Sequence, residues 1–244
     1  MPNLVIFSGA GLSAESGLGT FRDSEGLWAK HDPMEVCNYN NWMQNFDLVH
    51  NFYNLRREEL GRVAPNAMHD FLATLPDRLD SKKRGIEIVH LTQNVDDLLE
   101  RAGVEGAIHL HGELGKLVCP SCKNLTHIGY SAFDKRPCAA CGYEYLKPFI
   151  VFFFEPAPRY NDLYAVFGRL TKRDCVLVLG TSGAVVDIAS LLSIARAKGA
   201  PGLALLNNLE PSAQIPESIF DKVFYLPATK AIEPLFDEID RFFG

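Results

Sequence analysis

The chain has 244 residues, 47% of them apolar, and its 24 basic and 30 acidic side chains give a net charge of −6. This length and apolar content predict one α/β domain with insertions and exclude a disordered chain. The acidic balance, without a long cationic run, argues against a nucleic-acid partner, and no apolar run is long enough to span a membrane. Because the first strand is predicted almost at Met1, we expect no signal peptide and a cytoplasmic location.

A turn of small residues follows the first predicted strand, residues 4–7, and contains Gly9, Ala10 and Gly11. Glycine lacks a Cβ and tolerates positive φ, so it lets the backbone approach an anionic ligand closely. The first amides of the next helix, near Ser13, are then expected to face negative charge. The turn is predicted to bind phosphate, and a mere tight turn is the alternative.

Four continuous apolar runs have the pattern of strands buried on both faces, and segments of helical periodicity lie between them. This alternation predicts an α/β fold with a doubly wound, Rossmann-like parallel sheet and a ligand crevice at the carboxyl ends of its strands. Two excursions predict a smaller module, a helical insertion plus a zinc ribbon. The predicted strands are 4–7, 86–91, 176–179 and 203–206; the larger domain is 1–26, 62–112 and 148–244, and the smaller module is 27–61 and 113–147.

Polar residues follow the predicted strand 86–91 at its carboxyl end, where an α/β sheet exposes its ligand crevice. Asn94 and Asp96 are therefore candidates for direct ligand contacts. Helix capping by Thr92 or Asn94 is the alternative, because threonine and asparagine are preferred caps.

Two histidines, His109 and His111, lie two residues apart, which predicts that both point to the same side of a short strand. His111 precedes Gly112 at the strand end, a usual position for a catalytic side chain, and histidine titrates near neutral pH. His111 is the candidate base, and a satisfied structural polar group is the alternative.

Two Cys-x-x-Cys pairs, Cys119 with Cys122 and Cys138 with Cys141, are separated by fifteen residues. Four thiolates on two tight turns suit a closed tetrahedral zinc site, which is structural rather than catalytic. Four buried or disulfide-bonded cysteines are the alternative. The pattern indicates a reducing compartment, and Cys175 is interpreted as a small core residue.

The motifs in this order resemble those of the sirtuins, the NAD-dependent protein deacylases. Gly9-Ala-Gly-x-Ser-x-x-Ser-Gly, followed by Thr-Phe-Arg22, resembles their NAD-binding signature. The other matching motifs are Thr92-Gln-Asn-Val-Asp96, His111-Gly-Glu, the four-cysteine ribbon, Gly180-Thr-Ser182 and Asn208-Leu-Glu-Pro. The match covers nearly the whole chain and is closest to the bacterial type that also removes acidic acyl groups.

The resemblance implies a lysine deacylase that takes acyl-lysine proteins or peptides and NAD as substrates, holds one structural Zn²⁺, and releases nicotinamide and O-acyl-ADP-ribose. It implies catalytic roles for His111, Asn94 and Asp96. The residues implied to bind NAD are Gly9, Ala10, Gly11, Ser13, Ser16, Phe21, Arg22, Gln93, Asn94, Asp96, Gly180, Thr181, Ser182, Asn208, Glu210 and Ala228. Those implied to bind the substrate are Tyr53, Arg56, Val151, Phe152, Phe153 and Glu155, with the peptide added as a strand along 152–155.

Tyr53 and Arg56 lie three residues apart in a predicted amphipathic helix and so share one helix face. The pair matches the Tyr-x-x-Arg that marks acidic-acyl specificity in similar bacterial sirtuins. A guanidinium binds the carboxylate of succinyl- or malonyl-lysine bidentately, so we expect desuccinylase or demalonylase activity alongside deacetylation. The alternative is a tyrosine in the core and an arginine in solvent.

Four departures from the family pattern leave its catalytic groups in place. Phe154 stands where most members have glycine, Asp187 and Gly19 where a proline is common, and Leu99 where a histidine follows Asn-x-Asp. An NAD glycohydrolase or ADP-ribosyltransferase on the same fold is the alternative activity. A zinc-ribbon interaction module with NAD as a regulatory input is the non-enzymatic alternative. His111 argues against that module, because a pure binder needs no base.

Overall fold

The apolar runs of the sequence form the inner strands of the main sheet. The structure is a computed structural model that describes residues 1–19 and 31–244, so the predicted site residues Phe21 and Arg22 lie outside it. The strands in the described part are β1 (Asn3–Ser8), β2 (Glu87–Thr92), β3 (Ile108–His109), β4 (Gly112–Val118), β5 (Leu125–His127), β6 (Lys147–Ile150), β7 (Cys175–Leu179), β8 (Leu203–Asn208) and β9 (Lys222–Tyr225).

Helices connect these strands. They are α1 (Gly11–Ala14), α2 (Pro33–Val36), α3 (Phe46–Arg62), α4 (Ala67–Arg78), α5 (Ser81–Arg84), α6 (Leu98–Ala102), α7 (Tyr160–Gly168), α8 (Ile188–Ala197) and α9 (Ile232–Phe243). Short 3-10 helices span Glu217–Ile219 and Ala228–Lys230. Within the described ranges, none of the helices combines the length and apolar character needed to cross a membrane.

The main sheet is doubly wound, as the alternation of strands and helices predicts. Its six strands are parallel and run in the order β3-β2-β1-β7-β8-β9. Along β1, Leu4 and Ile6 enter one hydrophobic core with residues of α4 and α9, whereas Val5 and Phe7 enter a second core with residues of α7 and α8. Burial on both faces explains why these strands are continuous apolar runs.

The strand order places a topological switch point between β1 and β7. From β1 the chain proceeds to β2 on one side of the sheet, and after β3 it returns to β7 on the other side. In such sheets the ligand crevice lies outside the carboxyl ends of the strands at this point. The turns after β1 and β7 are therefore where a bound molecule is expected.

A second, antiparallel sheet has the order β5-β4-β6. Helices α2 and α3 pack with it through buried residues that include Val36, Phe52 and Leu114. The predicted domain boundaries at 112/113 and 147/148 each fall one residue inside a strand of this sheet, because β4 begins at Gly112 and β6 at Lys147.

Phe154 has a backbone conformation that favours glycine, with a φ of 67°. Its side chain is also 70% exposed, so burial does not offset the strain. Phe154→Gly is therefore expected to raise the free energy of unfolding by about 0.5–1 kcal/mol. Denaturant unfolding of the purified variant measures the change.

Phe152→Ala is the matched control, because Phe152 is buried and its ring stacks on Tyr53. The free energy of unfolding of this variant should fall by about 3–5 kcal/mol. A Phe154→Gly protein less stable than wild type would mean that the Phe154 ring contributes packing that outweighs the backbone strain.

Candidate active site and metal centre

The turns after β1 and β7 touch backbone to backbone. The amides of Gly9 and Gly11 donate to Leu179 O at 2.9 Å and to Gly180 O at 2.8 Å. A Cβ on Gly11 would lie 2.7 Å from Gly180 Cα, and one on Gly9 would lie 2.8 Å from Gly180 O. Contacts this short do not occur in folded proteins, so the glycines are required where they stand.

The first amides after the turn already have acceptors within the protein. Leu12 N and Ser13 N donate to Gly9 O and Ala10 O, at 3.0 and 3.1 Å. Neither Gly9 nor Gly11 has a positive φ. The glycines instead let the two turns approach each other, which forms the base of the crevice.

Ser13, Asn94 and Asp96 form one hydrogen-bonded group at this crevice. The Ser13 hydroxyl accepts from Asn94 Nδ2 at 3.1 Å and donates to Asp96 Oδ2 at 3.0 Å. His69 Nε2 lies 3.5 Å from the same hydroxyl. Burial raises the pKa of Asp96, although bonds from Leu98 N and Ser13 oppose the shift. The three residues come from the turn after β1 and the turn after β2, so the parallel sheet brings them together.

His111 is held by its ring nitrogens. Nδ1 is 3.0 Å from Gln93 O, which only accepts hydrogen bonds, so the hydrogen-bond network assigns the ring proton to Nδ1. Nε2 then carries the lone pair and lies 2.9 Å from Tyr160 Oη. Burial lowers the pKa of His111, although the Gln93 bond opposes this. A neutral imidazole at neutral pH suits a general base.

His109 has different partners. β3 ends at His109, so His111 lies in the turn beyond the strand rather than on it. His109 Nδ1 donates to Asn94 O at 2.8 Å, and Nε2 is 2.9 Å from Glu100 Oε1. Burial lowers the pKa of His109, but the hydrogen bond and charge of Glu100, the bond to Asn94 O and the charge of Glu113 together outweigh it, and the pKa is raised. His109 therefore supports the Asn94 turn.

Side chains at the ends of β2, β7 and β8 are linked across the sheet. Gln93 Nε2 donates to Thr181 Oγ1 at 2.9 Å, Thr181 N donates to Asn208 Oδ1 at 3.0 Å, and Asn208 Nδ2 returns a bond to Thr181 O at 2.9 Å. Ser182 O accepts from the Ser212 hydroxyl at 2.6 Å. The predicted NAD-binding residues of these three turns thus lie along one edge.

The remaining predicted NAD-binding residues, Ser16, Glu210 and Ala228, differ in their burial and contacts. Ser16 Oγ accepts from Asn66 Nδ2 at 3.1 Å, and Asn66 also bonds to Leu12 O at 2.8 Å. Glu210 is exposed, and Ala228 is buried in the core beneath the sheet. Asn66 is absent from the motifs, because its role depends on a contact between segments 50 residues apart.

The predicted substrate segment begins beside the candidate base. Val151 N donates to His111 O at 2.9 Å, and Phe153 N donates to Cys37 O at 2.9 Å. Phe152 N donates to Glu155 Oε2 at 2.8 Å. Glu155 in turn pairs with the buried Lys147 ammonium at 2.8 Å. Several backbone groups of the segment are therefore already paired within the protein.

Tyr53 and Arg56 lie on α3, as predicted. Tyr53 is buried, and its hydroxyl has no nitrogen or oxygen partner among the described residues. Burial, followed by the neighbouring Cys37 thiol, raises the pKa of Tyr53, while the charge of Arg56 opposes the shift. Arg56 Nη1 donates to Gly19 O at 3.4 Å and lies 3.9 Å from Glu59 Oε2.

The four cysteines form a compact cluster. The sulfurs of Cys119 and Cys141 are 3.6 Å apart, those of Cys122 and Cys138 are 3.7 Å apart, and all four lie within 4.8 Å of one another. Four thiolates around one tetrahedral zinc, each about 2.3 Å from the metal, would lie about 3.8 Å apart. The cluster fits structural zinc, and no position remains open for a catalytic water.

The fold and this site define the class of protein. A sequence model of the Sir2 family matches residues 9–187 of the chain, which therefore belongs to that family, the sirtuins.

Relatives match over almost the full length. The chain is 58% identical to an NAD-dependent protein deacylase of Helicobacter hepaticus over 253 residues, covering 100% of this chain and 99% of the relative. It is 39% identical to one of Campylobacter jejuni, covering 99% and 97%. A solved Sir2 homologue in complex with NAD superposes with a TM-score of 0.82 at 32% identity, covering 99% of this chain and 91% of the other.

Removing zinc is expected to unfold the small sheet and leave the main sheet folded, because the metal joins segments that share only a small core. Hydrogen exchange with a strong chelator should show lost protection in β4, β5 and β6 and retained protection in β1 and β7.

Cys138→Ser is expected to bind less zinc, because one of the four sulfur ligands is removed. Elemental analysis of the purified variant measures its zinc content. Cys37→Ser is the matched control, since Cys37 is also a buried free cysteine but lies outside the cluster. Full zinc content in Cys138→Ser would contradict the assigned site.

Proposed function

We infer that this chain is an NAD-dependent protein lysine deacylase. The observation that carries the inference is the imidazole of His111: its Nδ1 is bonded to Gln93 O, which leaves the Nε2 lone pair, 2.9 Å from Tyr160 Oη, as the proton acceptor. The base follows β3 and bonds the turn after β2 that carries Asn94 and Asp96, at the carboxyl-end edge of the sheet where α/β proteins bind their ligands. The family and the full-length similarity to named deacylases support the same function.

NAD is assigned to the crevice formed by the turns after β1, β2, β7 and β8. When bound, it would supply a ribose whose anomeric carbon accepts the acyl oxygen of the substrate as its bond to nicotinamide breaks. His111 takes a proton from a ribose hydroxyl at Nε2. Asn94 and Asp96 orient the ribose and the nicotinamide amide, and Ser13 fixes both side chains through its two hydrogen bonds. Gln93, Thr181 and Asn208 would bind the part of NAD that lies further from the nicotinamide.

The acyl-lysine is assigned to the segment from Val151 to Glu155, where Phe152 stacks on Tyr53; Arg56 lies one turn along α3 from Tyr53. Tyr53 carries a buried hydroxyl without a nitrogen or oxygen partner among the described residues, and an acidic acyl group would accept a hydrogen bond from it. The Arg56 guanidinium adds the positive charge that a succinyl or malonyl carboxylate requires. The protein is therefore proposed to remove acidic acyl groups as well as acetyl groups.

Acyl-lysine proteins are the proposed partners, and the cytoplasm is the proposed location. The four-cysteine cluster supports a reducing compartment, because zinc thiolates and disulfides compete for the same sulfurs. The net charge of −6 gives no support to a nucleic-acid partner.

His111→Ala is expected to lower peptide-dependent nicotinamide release by about 10²- to 10⁴-fold and to leave NAD affinity within about threefold, because only the base is removed. Mass spectrometry of products and calorimetric NAD titration measure the two effects. His127→Ala is the control, since His127 is exposed in β5. Nicotinamide release that is independent of the peptide would identify a glycohydrolase or transferase, and none at all would indicate a binding module.

Arg56→Met is expected to lower kcat/KM for a succinyl-lysine peptide by about tenfold to a hundredfold, because a hydrogen bond to a charged group contributes about 1.5–3 kcal/mol. The value for the matching acetyl-lysine peptide should stay within about twofold. Arg62→Met is the control, since Arg62 lies on the same helix with 72% of its side chain exposed. An equal fall with both peptides would mean that Arg56 supports the fold instead.

A further inference from the structure

Tyr160, the first residue of α7, touches the candidate base. Its hydroxyl oxygen is 2.9 Å from His111 Nε2, and the two ring centroids are 5.8 Å apart at 44°. The two residues are 49 positions apart in the sequence, and Tyr160 belongs to none of the motifs described above. This contact occupies the atom of His111 that the proposed reaction uses.

The direction of this hydrogen bond follows from the other side of the ring. Because Gln93 O only accepts hydrogen bonds, Nδ1 of His111 carries the proton and Nε2 has a single lone pair. The Tyr160 O–H therefore donates to Nε2. A general base must accept the substrate proton through this same lone pair. Tyr160 and a ribose hydroxyl consequently compete for one acceptor.

We propose that Tyr160 caps the catalytic base in the substrate-free enzyme and leaves it when the ribose hydroxyl binds. The proposal rests on the deacylase function inferred above. Tyr160 acts as a positioning residue: its hydrogen bond to Nε2 favours the Nδ1–H tautomer and fixes the orientation of the His111 ring. It forms and breaks no covalent bond in the reaction.

Apart from Tyr160, the titratable groups on the elements around His111 interact with residues other than His111. In the described part of the chain, the hydrogen bonds of the His111 ring go to Gln93 O and Tyr160 Oη. The neighbouring titratable groups are Asp96 with Ser13, His109 with Glu100, Glu155 with Lys147, Arg159 with Asp162, and Tyr164 against the Tyr160 ring. The Tyr160 hydroxyl is thus the titratable group in direct contact with the base.

Tyr160→Phe keeps the ring and removes the hydroxyl. A hydrogen bond donated to the lone pair stabilises neutral imidazole, so its loss should raise the pKa of His111 by about half a unit to one unit. NMR titration of the histidine ring signals in the substrate-free protein measures this shift, with His111→Ala assigning the signal. The measurement requires no turnover.

Kinetics separate the capped state from the reacting state. The pH dependence of kcat/KM reports groups of the free enzyme, whereas that of kcat reports the substrate complex. The acid limb of kcat/KM for NAD should therefore move to higher pH in Tyr160→Phe, while the kcat profile stays in place. Above both pKa values, kcat/KM should rise about two- to tenfold, because no cap has to be displaced.

Tyr164→Phe is the matched control: Tyr164 lies one turn further along α7, is 53% exposed, and contacts the edge of the Tyr160 ring. It should leave both profiles unchanged. An unchanged His111 pKa in Tyr160→Phe would overturn the cap. A tenfold fall in kcat at constant KM would also overturn it, because Tyr160 would then act during the reaction. Wild-type protein without peptide-dependent turnover would refute the deacylase function, while the titration would still decide on the cap.

Discussion

The backbone contact between the turns after β1 and β7 is the constraint on which the site depends. Gly11 N donates to Gly180 O at 2.8 Å, and the Cβ of any larger residue would collide there. The contact brings the helix start that carries Ser13 to the edge where β2 ends. Ser13 can then bond to Asn94 and Asp96, and Thr181 can bond to Gln93. The close contact between the two turns therefore fixes where the side chains of Ser13 and Thr181 lie.

The site relies on neutral hydrogen bonds more than on ion pairs. Burial lowers the pKa of His111 and raises that of Asp96, so in both residues it disfavours the charged form. Two pairs are exceptions beside the site: His109 with Glu100, and the buried Lys147 of β6 with Glu155 at the end of the substrate segment. The Lys147 ammonium also lies against the Phe152 ring. Polar groups of this kind keep their positions only while each has a partner, because an unpaired buried group is costly.

Polar ties supplement the apolar packing of the small module. The guanidinium of Arg57 is fully buried and donates to Ser131 O at 3.1 Å and to Leu114 O at 3.4 Å, which joins α3 to the antiparallel sheet. Burial lowers the pKa of Arg57 to about 10, so it stays protonated at neutral pH. The cysteine cluster joins the loops at the other end of the sheet. Arg57 lies one turn along α3 from Tyr53, whose ring stacks on that of Phe152.

The sequence by itself determined the fold class, the inner strands, the cysteine cluster and the family, because period, ligand spacing and motif order are local properties. It did not determine the close contact of Gly9 and Gly11 with Gly180. Nor did it indicate the partners of Tyr160, Asn66 and Lys147. Their contacts with His111, Ser16 and Glu155 depend on how distant segments pack, and only the tertiary structure decides that.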